Sequence, residues 1–487
     1  MAKDSQFFIE LKDFNAGFSP LAHLNSLTQK GVSGSASVMV NADILDGTLS
    51  QGPGLSTLTN GTQAGVVTEL INHILEIPTA DSVTYGIGAT KLFKITPTTV
   101  TSGGTPSWPQ VITNCTDGES VIQMGGNLYG FYNKSSGGDI LKMPISTEAI
   151  DPDWGSTVNP TGPIGYGALQ SAIHPSATKE DIIVFGNGQY AGTYIGDTNT
   201  IALTKLDFGS GNVVSDVVFH ANFWYIAVNS GVTGTNRSRG QIYLYDGSVT
   251  KSVLDDECGV GLLKIGFLDV VDGVIWLAYQ DLSETSGYHI GYVAGRQIKQ
   301  LASFSGGLPN FAQKTLYRKT YLFVGGSNLW SCGSVSPDLP IQISQIADGG
   351  YATIGALASP FGTPMVASTE STSYKLAKFS GYDTVSSWKS VVIPTINGRY
   401  KGYIDEVTVL TGVLGASATC TLILEANQAV TNSTTKTISG TGGTRFVFDA
   451  LGLGAVGVED FRVTIDFATS VGNQLKIRSI FIKGHYF

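Results

Sequence analysis

Apolar residues recur along most of the chain in short runs separated by glycine-containing turns. Residues 217–219 and 274–277 are apolar at every position, which is typical of strands that are covered on both faces. This pattern predicts many short strands joined by tight turns. No stretch approaches the roughly 20 consecutive apolar residues that a membrane-spanning helix needs, so no contact with a membrane is expected.

A loose repeat begins near residue 66, in which an apolar run and a glycine turn precede a strand that carries an aromatic residue. Successive aromatic markers lie 36, 65, 49, 49, 38 and 49 residues apart, and one propeller blade of four strands takes roughly 40 to 50 residues. The repeat predicts a β-propeller of about seven blades, with six or eight as alternatives. The markers are Phe93, Tyr129, Tyr194, Tyr243, Tyr292 and Trp330, with Phe379 as a weaker seventh.

The pattern changes after about residue 395, where shorter strands show a period of two. In residues 461–467 apolar side chains alternate with polar ones, as a half-buried antiparallel strand requires. Five or more such strands within about 90 residues predict a small β-sandwich.

The N-terminal region carries different signals. Residues 19–31 begin with Ser-Pro-Leu and end at Gly31, which predicts a short capped helix. A lead-in strand follows, interrupted at Gly52 to Gly54. The expected fold class is therefore all-β, in three parts: an N-terminal helical arm with lead-in strands (1–60), a β-propeller (61–394) and a C-terminal β-sandwich domain (395–487).

Composition narrows the possible functions. The chain of 487 residues contains 61 glycines, only 14% charged residues and a formal net charge of −9. Without a run of Lys or Arg, tight sequence-specific DNA binding is not expected. The four cysteines are far apart, which favours buried thiols over a disulfide scaffold.

Motifs for chemistry are scarce. The six histidines occur singly, no HExxH or GxSxG motif is present, and the GxGxxG at residues 452–457 leads into a strand instead of a helix. The acidic groups at 151–153 and 255–257 lack calcium-loop spacing. The sequence therefore predicts no catalytic, cofactor-binding or metal-binding residue and no cofactor, and it predicts that the chain is not an enzyme. The histidines are His23, His73, His174, His220, His289 and His485.

One chemical alternative stays open. Glycoside hydrolysis needs two carboxylates, and in a propeller these come from different blades, so their separation cannot be found in the sequence. Trp154 is a candidate for stacking on a sugar, whereas Trp224 and Trp276 lie inside strand-like runs and are expected in the core. The alternative function is a carbohydrate-binding or receptor-binding propeller, either a tail-tip adhesin or a glycan-active protein.

Several short motifs resemble a known family. The segment Gly52 to Leu55, the motifs GGNLYGF and GGSNLWSC, and the closing stretch DFRVTIDFATSVGNQLKIRSIFIKG resemble the propeller-bearing tail-nozzle or packaged-DNA-stabilisation proteins of short-tailed bacteriophages. Residues 7–31 have no counterpart in that family.

The resemblance implies a structural component of a bacteriophage virion. The expected role is an oligomeric tail nozzle or head-to-tail connector ring that shapes the DNA channel and retains packaged genome. Its expected partners are copies of itself and other virion proteins (portal, adaptor, tail or fibre proteins), with non-specific passage of double-stranded DNA. Because the acidic N-terminus is unlike a secretory signal, synthesis in the host cytoplasm and location in the virion are expected.

Overall fold

The structure is a computed structural model, and its strands and helix are numbered along the chain. No helix in the described part of the chain is long and apolar enough to cross a membrane. The described residues are 6–12, 14, 36–40, 42–44, 47–57, 67–75, 83–97, 107–135, 137–158, 172–175, 181–230, 240–248, 250–252, 263–271, 273–281, 287–295, 297–304, 308, 315–317, 320–325, 328–333, 342–347, 353–370, 373–382, 386–395, 402–427, 429, 433–449, 453, 457–468 and 474–486.

Five described strands precede the propeller, and they join sheets formed mainly by strands from much later in the chain. They are β1 (Gln6–Lys12), β2 (Ala36–Val40), β3 (Ala42–Asp43), β4 (Leu49–Gln51) and β5 (Pro53–Thr57).

The described strands that follow form seven antiparallel blades. Within each blade these strands lie side by side in the order in which they occur along the chain. Blade 1 has β6 (Ile71–Ile74), β7 (Thr84–Gly88), β8 (Lys91–Ile95) and β9 (Ser107–Val111). Blade 2 has β10 (Asp117–Met124), β11 (Asn127–Lys134) and β12 (Gly137–Pro144), followed by the helix α1 (Trp154–Val158). Blade 3 has β13 (Ala172–Pro175), β14 (Asp181–Asn187), β15 (Tyr190–Ile195) and β16 (Thr200–Asp207).

The remaining blades repeat the same antiparallel order. Blade 4 has β17 (Asn212–His220), β18 (Phe223–Ser230), β19 (Gly240–Tyr245) and β20 (Thr250–Ser252). Blade 5 has β21 (Leu263–Val271), β22 (Val274–Asp281), β23 (Tyr288–Ala294) and β24 (Gln297–Phe304). Blade 6 has β25 (Thr315–Tyr317), β26 (Thr320–Gly325), β27 (Asn328–Gly333) and β28 (Gln342–Ala347), and blade 7 has β29 (Thr353–Ala358), β30 (Met365–Glu370) and β31 (Ser373–Tyr382).

The blades are held together by apolar clusters that lie between neighbours. In β14, Ile183 and Phe185 pack towards blade 2, while Val184 between them packs towards blade 4. Successive side chains of a strand point to opposite faces, so a strand between two other blades needs apolar residues at consecutive positions. This explains the nearly continuous apolar runs of the sequence.

An N-terminal strand completes the last blade. β5 pairs antiparallel with β31 as the fourth strand of blade 7, with Leu55 opposite Phe379. Ile71 of blade 1 and Leu376 of blade 7 share one apolar cluster, so the seventh blade packs against the first. The ring is therefore closed by strands from both ends of the propeller sequence. A proline at the start of β5 fits an outermost strand because that position needs no ladder donor.

The last eight strands form a β-sandwich with the N-terminal ones. They are β32 (Ser386–Ser390), β33 (Ile393–Pro394), β34 (Gly402–Thr411), β35 (Cys420–Ala426), β36 (Ser433–Ile438), β37 (Arg445–Asp449), β38 (Asp460–Phe467) and β39 (Lys476–Tyr486). One sheet has the order β3-β4-β39-β34-β37, with β1 also on β39. The other runs β2-β32-β38-β35-β36, with β33 on β38, and β2 joins it to blade 6 through Val40 and Gln345.

The first described strand of the chain belongs to the β-sandwich. β1 pairs with β39 along its whole length, and Phe7, Leu11 and Phe14 are buried in the sandwich core. The alternation of apolar and polar residues in β1 lets it cover one half of that core. The predicted helix at residues 19–31 lies outside the described residues. The division at residues 60 and 394 stays a prediction.

The predicted fold class is confirmed. The described residues form an all-β fold with seven blades and a β-sandwich built around the C-terminal strands.

Candidate functional site

The inner wall of the propeller is formed by the first strands of the blades. β6 contacts β10 on one side and β29 on the other, and β17 contacts β21. In five of these first strands the pairing register shifts by one residue near the strand start. Such a bulge leaves one residue unpaired and re-aims its side chain. The unpaired residues are Asn72, Glu119, Ser215, Gly266 and Gly355.

Two of these five positions carry long polar side chains, and they lie on adjacent blades. The Asn72 amide donates to Gly118 O at 2.7 Å and to Asp117 Oδ1 at 3.0 Å. The start of β10 is thereby fastened to β6. Glu119, the bulge residue of β10, follows two positions after Asp117 and belongs to the same junction.

Three carboxyl groups that influence one another electrostatically lie at the junction of blades 1 and 2, here called the carboxylate cluster: Glu69, Asp117 and Glu119. Glu69 is buried and accepts hydrogen bonds from Thr90 N at 2.8 Å and Thr90 Oγ1 at 2.7 Å. Glu119 Oε1 accepts from Asn133 Nδ2 at 2.6 Å. Asp117 is the exposed member.

The environment makes two of these carboxyl groups hold their protons unusually well. Burial raises the pKa of Glu119 to about 7, and the negative charge of Asp117 adds to the shift while the Asn133 hydrogen bond opposes it. Burial also raises the pKa of Asp117, with a smaller contribution from Glu69. A carboxylic acid that keeps its proton near neutral pH beside a second carboxylate is an arrangement suited to acid–base chemistry.

A neutral histidine lies beside the cluster. Burial lowers the pKa of His73 to about 4, so its imidazole is uncharged at neutral pH. Its Nδ1 accepts a hydrogen bond from Val121 N at 3.4 Å, which places the ring against β10. His73 therefore adds no positive charge that would ionise Glu119.

Close backbone approach makes the junction possible. A Cβ added at Gly118 would lie 2.3 Å from Gly88 O, and one added at Gly88 would lie 2.5 Å from Glu69 Oε1. A larger residue at Gly118 would push blade 2 away from blade 1, and one at Gly88 would displace Glu69 within blade 1.

Among the described residues, one buried polar atom beside the cluster has no hydrogen-bond partner. Within the described part of the chain, Asn133 Oδ1 is buried and has no hydrogen-bond partner, whereas Asn133 Nδ2 binds Glu119. An unsatisfied buried acceptor is costly, and a hydroxyl group bound there would satisfy it. Among the described residues, no group of three or more His, Cys, Asp or Glu is placed to hold a metal ion.

The aromatic candidate Trp154 is not available for stacking on a ligand. It is 6% exposed and packs between Tyr129 and Tyr194, with Lys142 Nζ 5.3 Å from its ring centre. Trp224 and Trp276 are buried, as expected.

The described histidines each have a different set of neighbours, and His73 binds Val121 N beside the carboxylate cluster. His289 binds Ser303 Oγ at 2.9 Å, and His485 binds Asp405 Oδ1 at 2.8 Å. Asp153 pairs with Lys134 at 2.6 Å. His23, residues 255–257 and most of the glycine motif at 452–457 lie outside the described residues.

Sequence reasoning did not single out Glu69, Asp117 or Glu119. The only local signal was the spacing of Asp117 and Glu119, two positions apart at the start of an apolar run. Their environment depends on Glu69 and Asn72 of the preceding blade, more than 40 residues away. These groups come together only when the propeller has folded.

No protein-family model matches the chain, and no curated protein matches it in sequence. Solved structures similar to it include the AfRom2 CNH domain, at 10% identity and a TM-score of 0.43 over 68% of this chain and 100% of that chain. Virginiamycin B lyase from Staphylococcus aureus is 12% identical, with a TM-score of 0.44 over 67% of this chain and 99% of that one. A glycoside hydrolase family 43 arabinoxylan arabinofuranohydrolase from Bacillus subtilis is 9% identical, with a TM-score of 0.27 over 91% and 95%.

These similarities correct the expectation that the chain is not an enzyme. A lyase and a glycoside hydrolase are among the similar structures, so that expectation is withdrawn. At such identities the likeness assigns no activity, and a function has to be argued from the side chains of this chain.

Proposed function

We propose that this chain is a carbohydrate-active β-propeller whose site is the carboxylate cluster of blades 1 and 2. The observation that carries the proposal is the raised pKa of Glu119, about 7, next to the exposed carboxylate of Asp117. Hydrolysis of a glycosidic bond uses one protonated and one ionised carboxyl group.

The different environments of Glu119 and Asp117 assign one as the general acid and the other as the general base. Glu119 is the more enclosed, so it keeps its proton and donates it to the oxygen of the departing sugar. Asp117 is more exposed, and although its pKa is also raised, the hydrogen bond from Asn72 opposes that shift, so Asp117 is the carboxyl group of the two that ionises first. It takes a proton from the attacking water, whose oxygen forms the new bond to the sugar carbon as the glycosidic bond breaks.

The surrounding side chains favour a polyhydroxylated ligand. Asn72, Asn133 and Thr90 surround the carboxylates with amide and hydroxyl groups, and Asn133 Oδ1 is an acceptor without a partner in the described chain. Sugar hydroxyl groups both donate and accept hydrogen bonds, so they match such a lining.

The experiment is a hydrolysis and binding screen over a panel of oligosaccharides and polysaccharides. The unmodified chain is compared with the double variant Asp117→Asn/Glu119→Gln and with Glu370→Gln, a control on blade 7. We expect hydrolysis of at least one glycan, retained in the control and reduced at least about 10²-fold in the double variant. Absence of hydrolysis across the panel, or equal rates in all three proteins, would contradict the proposal.

A second candidate function rests on a different observation. The β-sandwich exposes Phe8 and Phe481 on one sheet face, and exposed apolar patches commonly mark assembly surfaces. We also propose that the chain is carried on a bacteriophage virion, as a nozzle, connector or tail-tip component with itself and other virion proteins as partners and DNA passing nearby. Immunogold labelling of purified particles tests this, and labelling confined to the host cytoplasm would contradict it.

A further inference from the structure

The six-stranded sheet of the sandwich has one apolar face turned inwards and a second face turned to solvent, here called the outer face. In β1, Phe7 is 1% exposed while Phe8 is 68% exposed. On the outer face Phe481 is 37% and Val447 is 41% exposed. Water is excluded from the inner face by the core, so only the outer face remains open to a partner.

The strand register orders the outer face into three rows that cross β1, β39, β34 and β37. The rows are Phe8, Lys483, Glu406 and Asp449; then Glu10, Phe481, Thr408 and Val447; then Lys12, Ser479, Leu410 and Arg445. The residues between these rows, such as Ile482 and Val407, point into the sandwich core.

Charge is distributed unequally over these rows. The first row ends in the acidic residues Glu406 and Asp449, the last row has Lys12 and Arg445 at its two ends, and the middle row carries the apolar side chains of Phe481 and Val447. The face is thus acidic towards one side of β37 and basic towards the other.

This pattern is complementary to itself. A two-fold axis that runs along the middle row places the first row of one copy over the last row of the other. Asp449 then faces Arg445, Phe8 faces the aliphatic stem of Lys12, and Phe481 faces Phe481 of the second copy. Glu10 faces Glu10, and each is paired with Lys12 of its own copy at 2.9 Å. Such an interface, with the same patch on both subunits, closes at two copies.

We propose that the outer face is the contact surface of a homodimer with two-fold symmetry. The apolar middle row supplies the buried centre, and the opposite charges of the flanking rows set the orientation. This proposal is independent of the carboxylate cluster, which lies in the propeller.

Sedimentation velocity over a range of protein concentrations tests the proposal. The unmodified chain is expected to be a dimer, and Phe481→Asp is expected to raise the Kd at least about 10-fold, because it puts two like charges at the centre of the contact. The matched control is Tyr374→Asp, which introduces the same charge at another exposed aromatic, 42% exposed on blade 7, and should leave the dimer intact.

A charge exchange makes the test specific for orientation. Arg445→Asp and Asp449→Arg should each weaken the dimer, because each places like charges opposite one another. The double variant Arg445→Asp/Asp449→Arg should restore it, since both contacts regain opposite signs. Thermal unfolding curves show whether each variant remains folded.

The proposal would be overturned by a monomer at every concentration, by a dimer unaffected by Phe481→Asp in a folded protein, or by failure of the double variant to restore a dimer that both single variants weaken. Binding of this face only to a different virion protein would also overturn it.

Discussion

Two blade junctions with similar bulges use their carboxyl groups in opposite ways. Between blades 4 and 5, Asp216 is fully buried, and its two oxygens accept Val217 N at 2.7 Å and Leu268 N at 2.6 Å. Between blades 1 and 2, Glu119 is itself the unpaired residue of a similar bulge, is bound by one side-chain amide and is half-buried.

The comparison separates a structural carboxyl group from one available for chemistry. Asp216 ties two blades together with both oxygens, and Asn229 reinforces the same junction by donating to Ile265 O at 2.7 Å and accepting Ile265 N at 2.8 Å. No backbone donor of a neighbouring blade is bound to Glu119 within the described residues, so its proton is free to move.

The largest expected effect is a loss of hydrolysis on replacing Glu119, which would distinguish the junction of blades 1 and 2 from that of blades 4 and 5. Glu119→Gln should lower the rate of glycan hydrolysis by about 10²–10⁴-fold, because the amide has no acidic proton to donate. At about pH 4, where Glu119 is protonated, the free energy of unfolding should change by less than about 1 kcal/mol, since the amide keeps the shape and a hydrogen bond to Asn133. Steady-state kinetics and urea unfolding measure both, and a loss of stability without a loss of rate would reverse the assigned roles.

The opposite result is expected for the other junction. Asp216→Ala should destabilise the fold by about 2–4 kcal/mol, because the buried amides of Val217 and Leu268 lose their acceptor. Urea unfolding checks this, with the exposed Asp197→Ala as control, for which a change within about 0.5 kcal/mol is expected. An equally small effect for Asp216→Ala would show that this carboxyl group does not hold the blades together.

The next effect concerns how closely blades 1 and 2 approach. Gly118→Ala should destabilise the fold by about 1–3 kcal/mol, since its methyl group would meet Gly88 O. It should also reduce hydrolysis by displacing Asp117 and Glu119. Gly126→Ala is the control, because no atom lies within 4 Å of its added Cβ. Thermal unfolding measures the stability of both variants, and equal melting temperatures would contradict the close approach of blades 1 and 2.

The smallest effect is a pH dependence of stability. The pKa of Glu119 is raised in the folded chain to about 7, so the folded state binds the proton more tightly than the unfolded state. Its stabilising contribution is complete below about pH 4 and is lost as the pH rises towards 7. Relative to Glu119→Gln, the unmodified chain should lose about 1–3 kcal/mol over that window. His73, with its pKa lowered, acts in the opposite direction in both proteins and cancels in the difference. Urea unfolding of both proteins at several pH values measures this difference, and a constant value would contradict the raised pKa.

Local sequence patterns were enough for the blades but not for the closure of the ring. Six aromatic markers lie on the third strand of their blade, whereas Tyr129 lies on the second strand of blade 2. That displacement accounts for the uneven first two spacings. The pairing of β5 with β31 and of β1 with β39 joins residues more than 300 positions apart, and no local period encodes such contacts.

The carboxylate cluster could not be predicted from the sequence for a related reason. Asp117 and Glu119 were visible as acidic residues, but their raised pKa values arise mainly from enclosure at the junction of two blades, with smaller contributions from the neighbouring carboxylates. Trp154 showed the converse, since a loop tryptophan proposed for sugars is packed against Tyr129 and Tyr194.

The proposed function depends on a Glu119 carboxyl group that keeps its proton close to neutral pH. Carbon-13 NMR of the glutamate side-chain carboxyl groups, recorded across a pH titration of the unmodified chain and of Glu119→Gln, measures this directly. We expect one carboxyl signal to titrate near pH 7 and to be missing from the variant. If every glutamate titrates near its ordinary value of about 4.3, the assignment of Glu119 as an acid is contradicted.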